Sequence, residues 1–163
     1  MRTPPSDAQC WQSLSRAVDA AAAPGQPARL IEAVHETLAS LIGAKLFTVM
    51  RVLDDGSTER IYTSDPAAYP LSGRKPRNET PWYEKVIVAR QHYFGPTKAH
   101  IREVFFDHEL IFSLGCGSVI NILVLYDARL LGTLNMLHEE HWYEPQDMGR
   151  AAPFAALLAP VLL

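Results

Sequence analysis

The sequence predicts an α+β domain, an antiparallel sheet of five to six strands with helices on both faces. Three observations predict it. Residues 115–138 read GCGSVINILVLYDARLLGTLNMLH, in which two Val/Ile/Leu-rich runs, 118–125 and 130–137, flank Tyr126-Asp127-Ala128-Arg129, a β-hairpin pattern. Both faces of each run are largely apolar, whereas a strand wet on one side alternates apolar and polar residues, so this hairpin belongs mid-sheet with both faces covered. A second hairpin signal, Asp54-Asp55-Gly56, joins residues 46–53 to 58–63, and apolar stripes at helical spacing lie before and after these strands.

In chain order, Asp7 caps a first helix carrying Trp11, Leu14 and Val18, which ends at Pro24-Gly25. A second helix, 27–42, aligns Leu30, Ile31, Val34, Leu38, Leu41 and Ile42 on one stripe and stops at Gly43. The run 58–63 is more polar than 46–53, with Glu59 and Arg60, and reads as an edge strand. Residues 64–79 hold three prolines, Gly73, Arg74, Lys75 and Arg77, a long loop of the length used for lids and binding loops. Thr80-Pro81 opens a helix that offers Trp82, Val86 and Val88 for burial. Residues 92–97 form a short strand, 100–114 one helix ending at Gly115, and Pro145 opens a last helix kinked or broken by Pro153 and Pro160.

The turn of the central hairpin decides which side chains share a face, because a one-residue slip inverts a strand. A two-residue turn separates Asn121 from Asn135. A three-residue turn over Tyr126, Asp127 and Ala128 places Val119, Asn121, Leu123, Leu131, Thr133, Asn135 and Leu137 together and leaves Gly132 on the greasy side, where a helix approaches the backbone. The second register gathers the polar groups and is preferred. Both amides then need partners, either a structural network or a ligand.

The segments Ser118-Val-Ile-Asn-Ile-Leu-Val, Asp127-Ala-Arg and Leu131-Gly132-Thr-Leu-Asn-Met resemble the central hairpin of GAF domains, a family of small-molecule sensor modules. The likeness runs from about Leu30 to the C-terminus; Ala128 stands where the family more often has Gly. The resemblance implies a sheet ordered 2-1-5-4-3, terminal helices on one face and lid helices and loops on the other, with residues 1–25 an appended helix and 26–163 the GAF-like domain. Residues 62–75 also resemble the lid of some stand-alone GAF proteins. It further implies reversible binding of a ligand between hairpin and lid, and the stop at Leu163 implies no output module in cis.

With 163 residues, 48% of them hydrophobic, the chain is long enough for one well-buried domain. A net charge of -3 without a basic run offers nucleic acid no footprint, and the longest apolar tract, 151–163, is too short to span a bilayer. There is no signal region, and Cys10 and Cys116 lack the spacing of a disulfide framework, so a cytoplasmic protein is expected. His138-Glu139-Glu140-His141 lacks the HExxH spacing of a metal helix, and the sequence names no cofactor or metal.

The expected binding residues are Tyr62, Tyr69, Arg74, Lys75, Trp82, Phe106, Cys116, Val119, Asn121, Thr133 and Asn135. The expected ligand is a small polar metabolite whose anionic group meets Lys75 or Arg74, and replacing either amide is expected to cost more in binding than in stability. One enzymatic branch of the GAF family reduces free methionine sulfoxide with cysteines in the loop that holds Cys116. The positions where that branch carries acidic groups fall here on Val119, Asn135 and Leu137, none acidic, so this redox chemistry is the alternative reading. A structural homodimerisation module without a ligand is the third. A homodimer is expected in any case, through Trp11, Leu14, Val18 and the apolar last helix.

Overall fold

The structure is a computed structural model and describes residues 2–71 and 73–163. Its centre is the hairpin of β4 (Ser118–Tyr126) and β5 (Arg129–His138), flanked by β1 (Leu46–Val52) and β2 (Thr58–Thr63) on one side and by β3 (Tyr93–Gly95) on the other. All pairings are antiparallel, in the order β2-β1-β5-β4-β3, as expected.

The two strand faces bury two separate clusters. Against one face lie α1 (Asp7–Ala22), α2 (Ala28–Leu41), α6 (Pro145–Leu157) and α7 (Ala159–Leu162), which close over Phe47, Val49, Ile120, Ile122, Leu134 and Met136. On the other face, α3 (Pro81–Tyr83), a π-helical turn at Glu84–Val88, α4 (Lys98–Val104) and α5 (His108–Ser113) cover Leu46, Val119, Leu123 and Leu137. Terminal helices on one side and lid helices on the other is the layering expected.

Several local expectations change. The first helix is capped by Ser6, whose hydroxyl accepts from the Gln9 N–H while the Gln9 side chain accepts from Ser6 N–H, so Asp7 is its first residue and not its cap. Val88 is half-exposed at the end of the π turn, and Tyr83 and Val86 take the buried places. The single helix expected over residues 100–114 is two, because Phe105 leaves helical geometry (φ -112°, ψ 122°). That turn packs its ring near Trp82 and Tyr93, at centroid distances of 6.4 and 6.2 Å, and frees the Asp107 carboxylate to accept from Tyr69 Oη at 2.7 Å. The last helix runs through Pro153 without a break and breaks at Leu158, since Pro160 lacks an N–H and its ring opposes the carbonyl four residues back.

The central hairpin reaches the expected faces by another route. Its turn has two residues, Asp127 (φ 49°) and Ala128 (φ 56°), between paired Tyr126 and Arg129, the left-handed pair a tight hairpin requires. A bulge then shifts the register between Val124 and Leu125, so Asn121 lies directly across from Asn135. The missing turn residue and the extra bulge residue cancel in parity. Leu131, the residue skipped, joins the helix-side cluster and leaves the face assigned to it. Gly132 is as close-packed as expected: a Cβ there would lie 2.0 Å from the Met50 carbonyl oxygen on β1 and 2.9 Å from Leu162 Cδ1 on α7.

Candidate functional site

Between the sheet and the lid helices lies a cavity of about 90 Å³. Thr48 on β1, Asn121 on β4, and Asn135 and Leu137 on β5 line it from the sheet. Trp82 and Tyr83 on α3 and the residues around the α4–α5 break, Val104, Phe105, Phe106, Asp107 and Ile111, form the walls. Thr58 and Arg60 on β2 and Tyr69, Lys75, Asn78 and Thr80 on the loop complete the rim.

The floor is a hydrogen-bonded chain across three strands and a helix. Trp82 Nε1 donates to Asn121 Oδ1 at 2.9 Å, Asn121 Nδ2 to Asn135 Oδ1 at 2.8 Å, and Asn135 Nδ2 to Thr48 Oγ1 at 3.1 Å. The directly opposed register of Asn121 and Asn135, and of Asn135 and Thr48, makes this possible. Both amides are buried, so a carboxamide without these partners would pay the cost of an unsatisfied polar group. Each still has hydrogen-bonding capacity beyond the chain.

The rim carries the charge. Arg60 stacks 3.9 Å over the Tyr69 ring and donates to the Pro70 carbonyl at 2.6 Å, while Tyr69 Oη donates to Asp107. Burial and the Asp107 carboxylate hold the Tyr69 hydroxyl well above its ordinary pKa, keeping it a donor. The Lys75 backbone pairs with Thr58 by two hydrogen bonds, Thr58 N–H to Lys75 O at 2.9 Å and Lys75 N–H to Thr58 O at 2.7 Å. Its ammonium lies 5.5 Å from the Phe106 ring centre and, among the described residues, makes no side-chain hydrogen bond or ion pair. Desolvation and then Arg60 lower the Lys75 pKa, against the opposing pull of Asp107. Tyr83 Oη donates to the Gly56 carbonyl at 2.7 Å and pins α3 to the β1–β2 turn.

Of the residues expected in the site, Tyr69, Lys75, Trp82, Phe106, Asn121 and Asn135 come together around the cavity. Five do not. Tyr62 faces the helices, where its hydroxyl meets His35 Nδ1 at 2.9 Å, because β2 bulges between its pairings of Tyr62 with Val49 and Arg60 with Met50. The same bulge turns Arg60 toward the cavity. Arg74 is exposed beside Asp55 in a separate groove with Arg51 and Arg129. Cys116 and Val119 are fully buried in the lid-side core, and burial pushes the Cys116 thiol up to about 11. Thr133 is fully buried between paired Met50 and Leu123, its Oγ1 without a hydrogen-bond partner.

Sequence reasoning passed over Thr48, Arg60 and Asp107. Thr48 was legible as the polar break in an otherwise apolar run, Leu46-Phe-Thr-Val-Met. Asp107 acts through Tyr69, a partner distant in sequence, and had no local signal.

No protein-family model matches the sequence, and no curated protein matches it. Solved structures do. The GAF domain of a phosphoenolpyruvate-protein phosphotransferase from Coxiella burnetii is similar over 96% of this chain and 96% of its own, at 18% identity and a TM-score of 0.72. The GAF domain of a two-component sensor histidine kinase from Bacillus halodurans matches over 81% of this chain and 90% of its own, at 12% identity and a TM-score of 0.66. This chain has the GAF fold. The chromophore-binding domain of a bacteriophytochrome from R. palustris is also similar in structure, with a TM-score of 0.70 over 97% of this chain and 62% of that chain, at 12% identity. At such identities the likeness is one of fold, and the GAF cavity here must be read from its own residues. No helix among the described residues is long and apolar enough to cross a membrane.

Proposed function

We propose that this GAF domain is a sensor or regulatory module that reversibly binds a small polar, anionic metabolite in the cavity between the β4–β5 hairpin and the lid. The observation that carries the reading is the Lys75 ammonium. It is partly desolvated at the cavity rim, held by its backbone to β2, and makes no ion pair among the described residues, with Asp107 acting on it only through the longer-range pull noted above. A cation placed so gains from an anion brought to it. The neighbours' roles agree in kind, since they include sensor kinase domains and a chromophore-binding domain.

Native mass spectrometry of the protein purified without added ligand tests this. A retained mass that disappears on denaturation is the expected result; a bare chain that none of a library of small anions stabilises would defeat it.

The redox alternative has less support. Cys116 is buried with a raised pKa, opposite to an activated thiolate, and Cys10 sits on α1, which packs on α2 and α6 on the helix side of the sheet, away from the lid. A second copy of the chain remains part of the proposal, because Trp11 (72% exposed) and Val18 (47%) stand seven residues apart on the outer face of α1. Two free cysteines suit a reducing, cytoplasmic setting for such a module.

A further inference from the structure

The cavity's size and charge narrow the ligand further than the fold does. A volume of about 90 Å³ corresponds to roughly six to nine water-sized groups, at about 10–15 Å³ each. The lining has three charged side chains, Arg60, Lys75 and Asp107, so two cations face one carboxylate and a single positive charge is left over. Asp107 already accepts from Tyr69 Oη. The rest of the lining includes an apolar group, with Val104, Phe105 and Ile111 from the lid helices and Leu137 from the sheet.

We infer that the cavity selects a short-chain monocarboxylate of about six to nine non-hydrogen atoms, its carboxylate at Lys75 and Arg60 and its aliphatic tail between Phe105 and Leu137. This rests on the small-molecule reading above and specifies its ligand class. A monoanion balances the rim, whereas a dianion leaves a buried negative charge and a neutral molecule leaves the Lys75 ammonium uncompensated. A carboxylate head uses three atoms, so the remaining space holds a tail of about three to six carbons. The floor amides keep their mutual bonds, with one partner on each of their oxygens and nitrogens, so the tail need not break the chain across the floor.

The probes are pentanoate, its neutral counterpart pentanamide, and decanoate, which keeps the head group and roughly doubles the tail. Binding is followed by NMR at the indole N–H of Trp82, which is part of the floor, so a surface association does not register. Pentanoate is expected to shift this signal saturably, and pentanamide and Lys75→Met to weaken binding about tenfold or more, the range of a lost charge-assisted hydrogen bond. Lys75→Arg should retain most of the affinity. Pentanamide binding as well as pentanoate overturns the charge argument, and decanoate binding more tightly at the same site overturns the size argument. In both cases the cavity still binds, and the sensor reading stands. A metabolite of another class retained in native mass spectra, with pentanoate silent, likewise overturns the inference alone. No shift with any probe, together with a bare chain in native spectra, brings down both.

Discussion

Replacing Asn135 by Leu, which has nearly the same size, isolates the energetic weight of the cavity floor. In the native protein Asn135 Oδ1 accepts from Asn121 Nδ2 at 2.8 Å and Asn135 Nδ2 donates to Thr48 Oγ1 at 3.1 Å. The substitution leaves buried Asn121 Nδ2 with only a long bond, 3.4 Å, to the Ile120 carbonyl, and leaves Thr48 Oγ1 without its donor. Each stranded buried group costs about 1–3 kcal/mol, partly offset by the apolar gain of Leu, so the expected loss is about 2–4 kcal/mol. For a domain of this length that lowers Tm by roughly 5–15 °C. The sequence suggested that stability would suffer much less than binding; the mutual hydrogen bonds of the amides lead instead to the expectation of a clear stability loss. Asn121→Leu should cost a similar amount, since it strands Trp82 Nε1 and Asn135 Oδ1. The double variant should cost clearly less than the two singles together, because each single strands an atom that the other removes. Urea unfolding of all four proteins measures this. Additive losses, or single losses under about 0.5 kcal/mol, would show that the chain Trp82–Asn121–Asn135–Thr48 carries no cooperative energy.

Asp147 is fully buried and paired with Arg2 at 2.6 Å and Arg150 at 2.9 Å, so Asp147→Ala should cost about 3–5 kcal/mol in urea unfolding by stranding both guanidinium groups; a loss below about 1 kcal/mol would contradict this. Burial lowers the pKa of His35 from its ordinary 6.5, so its neutral form is favoured on folding. The unfolded chain binds the proton first, and the stability tied to neutral His35 is complete above pH 6.5 and lost as pH falls through the lowered folded value. His35→Gln should flatten the fall in Tm below pH 6.5, with a residual slope from His92 and His138, which shift the same way; an unchanged slope refutes the assignment. Cys116→Ser should leave ligand retention in native mass spectra intact, and thiol-dependent reduction of methionine sulfoxide that vanishes in this variant would promote the redox alternative. Trp11→Glu should convert a dimer to a monomer in sedimentation at tens of micromolar, and a monomeric wild type whose size Trp11→Glu leaves unchanged would remove the second copy from the proposal.

The strand order and the layering were legible because they follow from apolar periodicity and from the likeness of the 131–136 segment. Side-chain facing was harder, since one inserted residue inverts a strand. For Asn121 and Asn135 two irregularities compensated, a shorter turn and a bulge, and the expected shared face survived on a wrong premise. On β2 a single bulge had no compensation, so Tyr62 went to the helices and Arg60 to the cavity. The β2 bulge has no Gly or Pro beside it, and Gly132 beside the hairpin bulge reads in the sequence only as a site of close packing. The split of the 100–114 helix was illegible for a different reason: the residues from His100 to Leu114 have helical periodicity, and only the tertiary demands of Trp82, Tyr93 and Tyr69 draw Phe105 and Asp107 out of it.

The two backbone bonds between Thr58 and Lys75 divide the connection from β2 to α3 into two shorter closures, 64–74 and 76–80. The entropy of closing each is set by its own length and rises only slowly with added residues. Near Gly73 the chain is exposed, and a Cβ there would meet nothing within 4 Å. Residues could be inserted at that point without moving the root of Lys75, so loop length can drift in evolution, or be extended by design, while the charge beside the cavity stays in place.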